Sequence, residues 1–179
     1  MSDDYPQAYP HSHEGWLTLK DGHKIYLRPV LPTDGPLLVG LFNKLSPQSI
    51  YLRFLTNLSA LPEEWVYRFT HVDYKKDFAL LGVVSESGED AVIAVGRYAY
   101  DDRTGMTDLA VAVRDDWQHR GLGKALLSKV VEIGRANGIS RFESMIAPHN
   151  NTIRTMLIDL GYKVTYSLQG GFYVVDIHV

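Results

Sequence analysis

Residues 111–138, VAVRDDWQHRGLGKALLSKVVEIGRANG, pass from an apolar strand through a glycine-bearing turn into a helix with one broad apolar face. A helix start presents backbone N–H groups that no preceding turn can satisfy, and the aligned peptide dipoles add partial positive charge there. Gly121 and Gly123 lack a Cβ, so a bulky phosphate can come close to the main chain. Arg120 and Lys124 put formal charges beside those donors, which suits a pyrophosphate better than a single carboxylate. The expected ligand is a nucleotide-like cofactor.

Spacing narrows the choice. A Walker loop needs Ser or Thr directly after its Gly-Lys, where this chain has Ala125, and a dinucleotide fingerprint needs a third small residue where it has Leu126. What remains is Gln118, Gly121 and Gly123 in the pattern Q-x-x-G-x-G, which resembles the Q/R-x-x-G-x-G/A signature of the GNAT superfamily of acyl-CoA-dependent N-acetyltransferases.

The rest of the chain agrees in outline. Its 179 residues fit one domain with a continuous core. A formal net charge of -3 and the lack of a long Lys/Arg run argue against an extended nucleic-acid footprint. The absence of cysteine excludes disulfides, thiolate-ligated zinc and a thiol nucleophile, and suits a reducing compartment. No signal-peptide pattern opens the chain and no apolar run reaches the roughly 20 residues of a membrane span, so the expectation is a cytoplasmic protein without membrane association. Residues 1–15 are polar and aperiodic and read as a flexible tail, with 16–179 as a single domain. His11 and His13 lack a third ligand, so no metal site is expected.

Strands are expected at Trp16–Leu19 and Lys24–Val30 about an Asp21-Gly22 turn. Cap-and-proline signals at Pro32-Thr33-Asp34, Ser46-Pro47 and Leu61-Pro62 introduce three short helical pieces, over 37–45, 48–55 and up to Thr70. Phe78–Val84, Ala91–Tyr100 and Met106–Val113 read as an antiparallel meander. A helix from Leu122 carries Leu122, Leu126, Val130 and Ile133 at helical spacing and stops at Asn137-Gly138. A strand at Arg141–Ile146, a helix over Asn150–Leu160 and strands at Lys163–Ser167 and Phe172–Val179 complete the chain. With the opening hairpin counted as one unit, this is an α/β (α+β) arrangement: a mixed, mostly antiparallel sheet of about seven strands flanked by helices. The order matches the GNAT fold.

Arg28-Pro29, Asp34, Leu45 to Pro47, Arg53-Phe54 and Asp73-Tyr74 resemble a narrower group, the GNAT domains of bacterial Pat-type protein lysine acetyltransferases. That resemblance implies acetyl-CoA as co-substrate and a protein bearing an exposed lysine, notably an acyl-CoA synthetase, as acceptor. Some such proteins carry a regulatory domain, and control housed in one is not expected here. Backbone groups of Val111 and Val113 would bond the pantetheine arm. Gln118, His119, Arg120, Gly121, Leu122, Gly123, Lys124 and Ala125 would hold the diphosphate, chiefly through main-chain amides. Asn150 would contact the cofactor arm, cap its helix, or do both. Asp108 stands where the group places a glutamate proposed as general base; it is one methylene shorter, and a plain surface aspartate is the alternative. The tyrosine that many GNAT enzymes use as general acid is replaced by Leu157 and Ile158. Tyr98, Tyr100 and Tyr162 are other candidates, each more simply read as packing among eleven tyrosines. Trp117 reads as a packing residue. A small-amine acetyltransferase and a non-catalytic acyl-CoA-binding module stay open as alternatives, as do monomer and homodimer.

Overall fold

The computed structural model describes residues 5–179. The opening hairpin is β1 (Gly15–Thr18) and β2 (Lys24–Pro29), turned where Gly22 adopts φ +88°. Its two arms are separate strands, so the sheet has eight strands where about seven were expected.

Three helices follow, α1 (Gly35–Asn43), α2 (Pro47–Phe54) and α3 (Glu63–Thr70). Ser46 caps α2 by accepting from the Ser49 amide at 3.2 Å, with Pro47 as the first helical residue, and Leu55 ends that helix in a left-handed conformation. Asp34 does not cap through its side chain as its position suggests. Its carboxylate takes two 2.7 Å bonds from Arg28 and a 2.6 Å bond from the Leu31 amide, and locks β2 to the entry of α1.

The meander is β3 (Asp77–Glu86), β4 (Glu89–Asp101) and β5 (Met106–Val113). After it come α4 (Leu122–Ala136), β6 (Arg141–Ile146), α5 (Asn151–Asp159), β7 (Lys163–Gln169) and β8 (Phe172–His178). Strand order is β1-β2-β3-β4-β5-β6-β8-β7, and every neighbouring pair is antiparallel except β5 with β6. The last strand inserts between β6 and β7, so β8 is an interior strand and β7 an edge.

Both faces of the sheet are covered, which is why β3 reads as a nearly unbroken apolar run. Phe78 and Leu80 join Ile93, Tyr98, Leu122, Leu126 and Val130 in the main core under α4. Ala79, Leu81 and Val83 alternate to the other face and meet Val30, Leu38 and Leu41 around α1. Leu126 and Val130 are fully buried, and each such side chain contributes about 1.5–3 kcal/mol.

Of the segment expected to be a tail, residues 1–4 lie outside the described residues. Further on, Tyr9 is only 6 % exposed, sits edge-on to Tyr74 at 5.7 Å and donates to the Pro29 carbonyl at 3.3 Å. A lone anchoring aromatic has no periodicity, so composition does not reveal it. His11 meets Glu14 and His13 lies edge-on to Phe78. Among the described residues no group of three His, Asp or Glu side chains is arranged to hold a metal, and no helix is long and apolar enough to cross a membrane.

Candidate active site

The site begins where the sheet opens. β5 and β6 run parallel but share a single register pair, Asp108 with Glu143, and beyond it they separate. The Leu109 carbonyl still accepts from the Ser144 hydroxyl on β6, while the Arg114 amide turns the other way and bonds the Ile93 carbonyl of β4. Backbone groups alternate sides along a strand. The N–H and C=O of Val111 and Val113 therefore face the gap. The Val113 carbonyl is taken by the Gln118 side-chain amide at 2.9 Å, which leaves Val111 facing the opening.

The turn from β5 to α4 is braced from several directions. Asp115 accepts from the Ser46 amide and hydroxyl at 2.9 and 2.6 Å and from the Ser49 hydroxyl at 2.9 Å. Gln118 also donates to the Ser49 hydroxyl at 3.2 Å, so α2 and the turn move as one piece. Arg114, nearly buried, clamps Glu86 and Asp116. Hydrogen bonds from Arg114 and then Lys44 hold the Glu86 carboxyl far below its ordinary 4.5, at about 2. A depressed acid contributes stability above its unfolded pKa and loses it as pH falls through the folded one. Acid titration between pH 4.5 and 2 is thus expected to loosen this clamp, read as a drop in Tm that is smaller in Glu86→Gln.

Within the turn, His119 and Gly121 adopt φ of +61° and +82°. For His119 that conformation is strained by about 1–2 kcal/mol, and for Gly121 it is free. The first α4 bond runs from the Ala125 amide to the Gly121 carbonyl, so the amides of Leu122, Gly123 and Lys124 precede it and have no partner within the helix. They form an anion-seeking cluster. Gly123 is small for packing as well as for access: a Cβ there would lie 3.2 Å from Met156 Cε and 3.3 Å from Val113 Cγ2.

A cavity of about 1060 Å³ joins this cluster to the other side of the sheet. Asp108, Val111, Val113, Gln118, His119, Gly121, Gly123, Lys124 and Asn150 all line it. Three expected residues do not. Leu122 puts its side chain in the core, Ala125 sits one step along the helix, and Arg120 is turned to Asp21 at 3.2 Å and stacked on Trp117, leaving its main chain to the turn. Lys124 lies 3.3 Å from Asp159 in an exposed pair. The Asn150 side-chain oxygen Oδ1 accepts from the Ile153 amide at 3.4 Å, a long cap bond. Trp117 packs edge-on to His23.

Asp108 stands at the far end. Its cross-strand partner is Ala99, and its side chain shares a face with Ala110 and with Arg97, the partner of Ala110. Among the described residues it makes no side-chain hydrogen bond, so both carboxylate oxygens are open to a ligand or water. Arg53, Arg68 and Arg97 surround this end of the cavity, with Trp65 and Phe69 as apolar walls. Arg53 was legible only as part of a motif and Arg97 not at all. The available signal was one arginine inside the apolar run Ala91–Tyr100. Tyr98 is buried and committed, donating to the Lys75 carbonyl at 3.0 Å, whereas Tyr100 lines the cavity.

Comparison with known proteins agrees with this geometry. The Acetyltransferase (GNAT) family model matches residues 48–162. An acetyltransferase of Pseudomonas aeruginosa is 28% identical over 148 residues, 82% of this chain and 80% of that protein. Acetyltransferase Pat of Mycolicibacterium smegmatis is 29% identical over 81% of this chain, which spans only 43% of that protein's length. The crystal structure of the GNAT domain of S. lividans PAT superposes with TM-score 0.85 at 29% identity, covering 96% of this chain and 99% of that one. A Salmonella typhimurium structure described with acetyl-CoA as its cofactor shares the fold, with TM-score 0.65 at 15% identity over 86% and 93% of the two chains.

Proposed function

The chain belongs to the GNAT acetyltransferase family, and we propose on that footing that it transfers an acetyl group from acetyl-CoA to the side-chain amine of a protein lysine. The observation that carries the proposal is the single cavity that runs through the split between β5 and β6. It has an anion-seeking helix start at one end and a free carboxylate at the other.

In this reading the amides of residues 121–124 bind the diphosphate, and the Val111 C=O and Val113 N–H are offered to the pantetheine arm. Acetyl-CoA supplies the activated thioester. A free lysine has a pKa of about 10.4, so only about one in a few thousand is neutral near pH 7. Asp108 takes the proton, directly or through a water that spans its shorter reach, as the acceptor nitrogen bonds the acetyl carbon. The Val111 N–H stabilises charge on the carbonyl oxygen. The C–S bond breaks and the thiolate, a far weaker base than an amide or alkoxide ion, leaves without a dedicated acid. Tyr98 is bound elsewhere, and Leu157 and Ile158 have no ionisable proton to give.

The acceptor is tested by incubating the protein and acetyl-CoA with an acyl-CoA synthetase and, separately, with free amines. Acetyllysine on the protein is the expected product. Modification confined to free amines rejects the protein-directed reading, and binding of CoA without any turnover makes the chain a binding module.

Lys124 gives a second test. Its pair with Asp159 is exposed and weak, so the ammonium can turn to a phosphate. Lys124→Ala is expected to weaken CoA binding by about 1.5–3 kcal/mol, roughly ten- to a hundredfold in Kd. Unchanged affinity removes Lys124 from the site.

A further inference from the structure

Three guanidinium groups crowd the acceptor end of the cavity without a hydrogen-bond partner. Arg97 projects from the middle of β4, Arg53 from the end of α2 and Arg68 from α3. Among the described residues none of them donates a side-chain hydrogen bond or forms an ion pair. This sets them apart from Arg28, Arg114 and Arg141, each clasped by a carboxylate.

Arg97 lies over the Phe69 ring at 4.4 Å and Arg53 over the Phe54 ring at 4.9 Å. A ring beside each guanidinium supplies a cation–π contact but no hydrogen-bond acceptor, so their N–H donors stay available to a ligand. Burial, and then the proximity of Arg53, push Arg97 down to about 10, and burial also lowers Arg53. At about 10, Arg97 stays charged at neutral pH. Part-buried, unpaired charges of one sign are costly unless a counter-charge arrives. Asp108 and Asp77 both lie close to Arg97, yet neither bonds it: Asp77 accepts from the Tyr100 amide at 2.9 Å, and of Asp101 and Asp102, which also line the cavity, Asp101 is held by Arg103. A bare alkylammonium would bring more charge of the same sign.

We infer that the acceptor carries an anionic group, a carboxylate or phosphate, beside the amine that is acetylated, and that Arg53 and Arg97 grip it. The inference rests on the acetyl-transfer reading and narrows its substrate class. On a protein, the anion is an acidic side chain adjoining the target lysine. On a small molecule, it is the substrate's own carboxylate or phosphate.

Terminally blocked tripeptides with a central lysine flanked by Asp, Ala or Arg, and ω-amino acids against alkylamines of equal length, discriminate these cases. Acidic acceptors are expected to be favoured at least about tenfold in kcat/KM, mainly through KM. A preference among the peptides identifies a protein source, and one confined to the small amines a metabolite. Arg97→Met and, as an independent replacement, Arg53→Met should collapse the preference to about twofold, with Arg97→Lys retaining part of it.

Two binding measurements accompany the kinetics: CoA by calorimetry, as the check on folding and donor binding, and fluorescent forms of the three peptides by anisotropy without donor. Equal use of neutral and acidic acceptors overturns the inference and leaves acetyl transfer standing. So does a loss of CoA affinity in the arginine variants with the preference intact. If no acceptor turns over, yet the acidic peptide binds selectively and Arg97→Met abolishes that binding, the transfer reading fails and the anion site stands. Absence of both turnover and selective binding rejects the two together.

Discussion

Asp108→Asn is expected to lower kcat by about a hundredfold or more while leaving the Kd for CoA unchanged. The substitution keeps the shape of the side chain and removes its capacity to take a proton. Three features of the residue set the size of the effect. Asp108 occupies the last paired position before β5 and β6 part, it opens into the cavity, and it is free of internal hydrogen bonds among the described residues. A carboxylate already saturated by backbone donors would make a poor base, and this one is not. The asparagine variant should regain rate at high pH, where solution supplies the neutral amine. An unaltered kcat at neutral pH would return Asp108 to the status of a surface residue, with the fold assignment intact.

The second large effect concerns stability. The Arg28–Asp34 pair has side chains only 11% and 4% exposed, and Asp34 additionally accepts from the Leu31 amide. Asp34→Ala strands a buried guanidinium and a backbone N–H together, at an expected cost of about 3–5 kcal/mol, or roughly 10 °C in Tm for a chain of this size. The exposed Arg103–Asp101 pair is the control: Asp101→Ala should leave Tm nearly unchanged. A loss in Asp34→Ala no larger than in that control would mean that water solvates the β2–α1 clasp and that the motif is not structural. The arginine and aspartate that suggested a family likeness are thus explained by folding rather than by chemistry.

The legible features were local. β5 was read with both ends as found, and α4 was recognised because its apolar spacing, its terminal Asn-Gly and its opening glycines all lie within one stretch of chain. Features made by distant residues were not legible. Arg120 stands beside Lys124 in sequence and looks like a second phosphate ligand, yet Asp21, almost a hundred positions away, takes its guanidinium. Gln118 carries the signature, and its side chain reaches back to the Val113 carbonyl and Ser49. Gly121 and Gly123 looked equivalent, but one is required by a positive φ and the other by contact with Met156 and Val113. The insertion of β8 beside β6 follows from sheet pairing, which no local pattern encodes. Arg97 does not stand out in the sequence because one charge does not disturb the periodicity of a strand. Its position in a sheet covered on both faces was the clue that it must meet a cavity or a partner.

The account rests on the diphosphate of CoA being held by the amides of residues 121–124. The most direct test is calorimetric titration of the folded protein with CoA and with pantetheine, which has the same thiol arm and no diphosphate. Saturable binding of CoA at one site, with pantetheine weaker by at least about a hundredfold, is the predicted result. Absence of saturable CoA binding, or equal affinity for the two molecules, would contradict it.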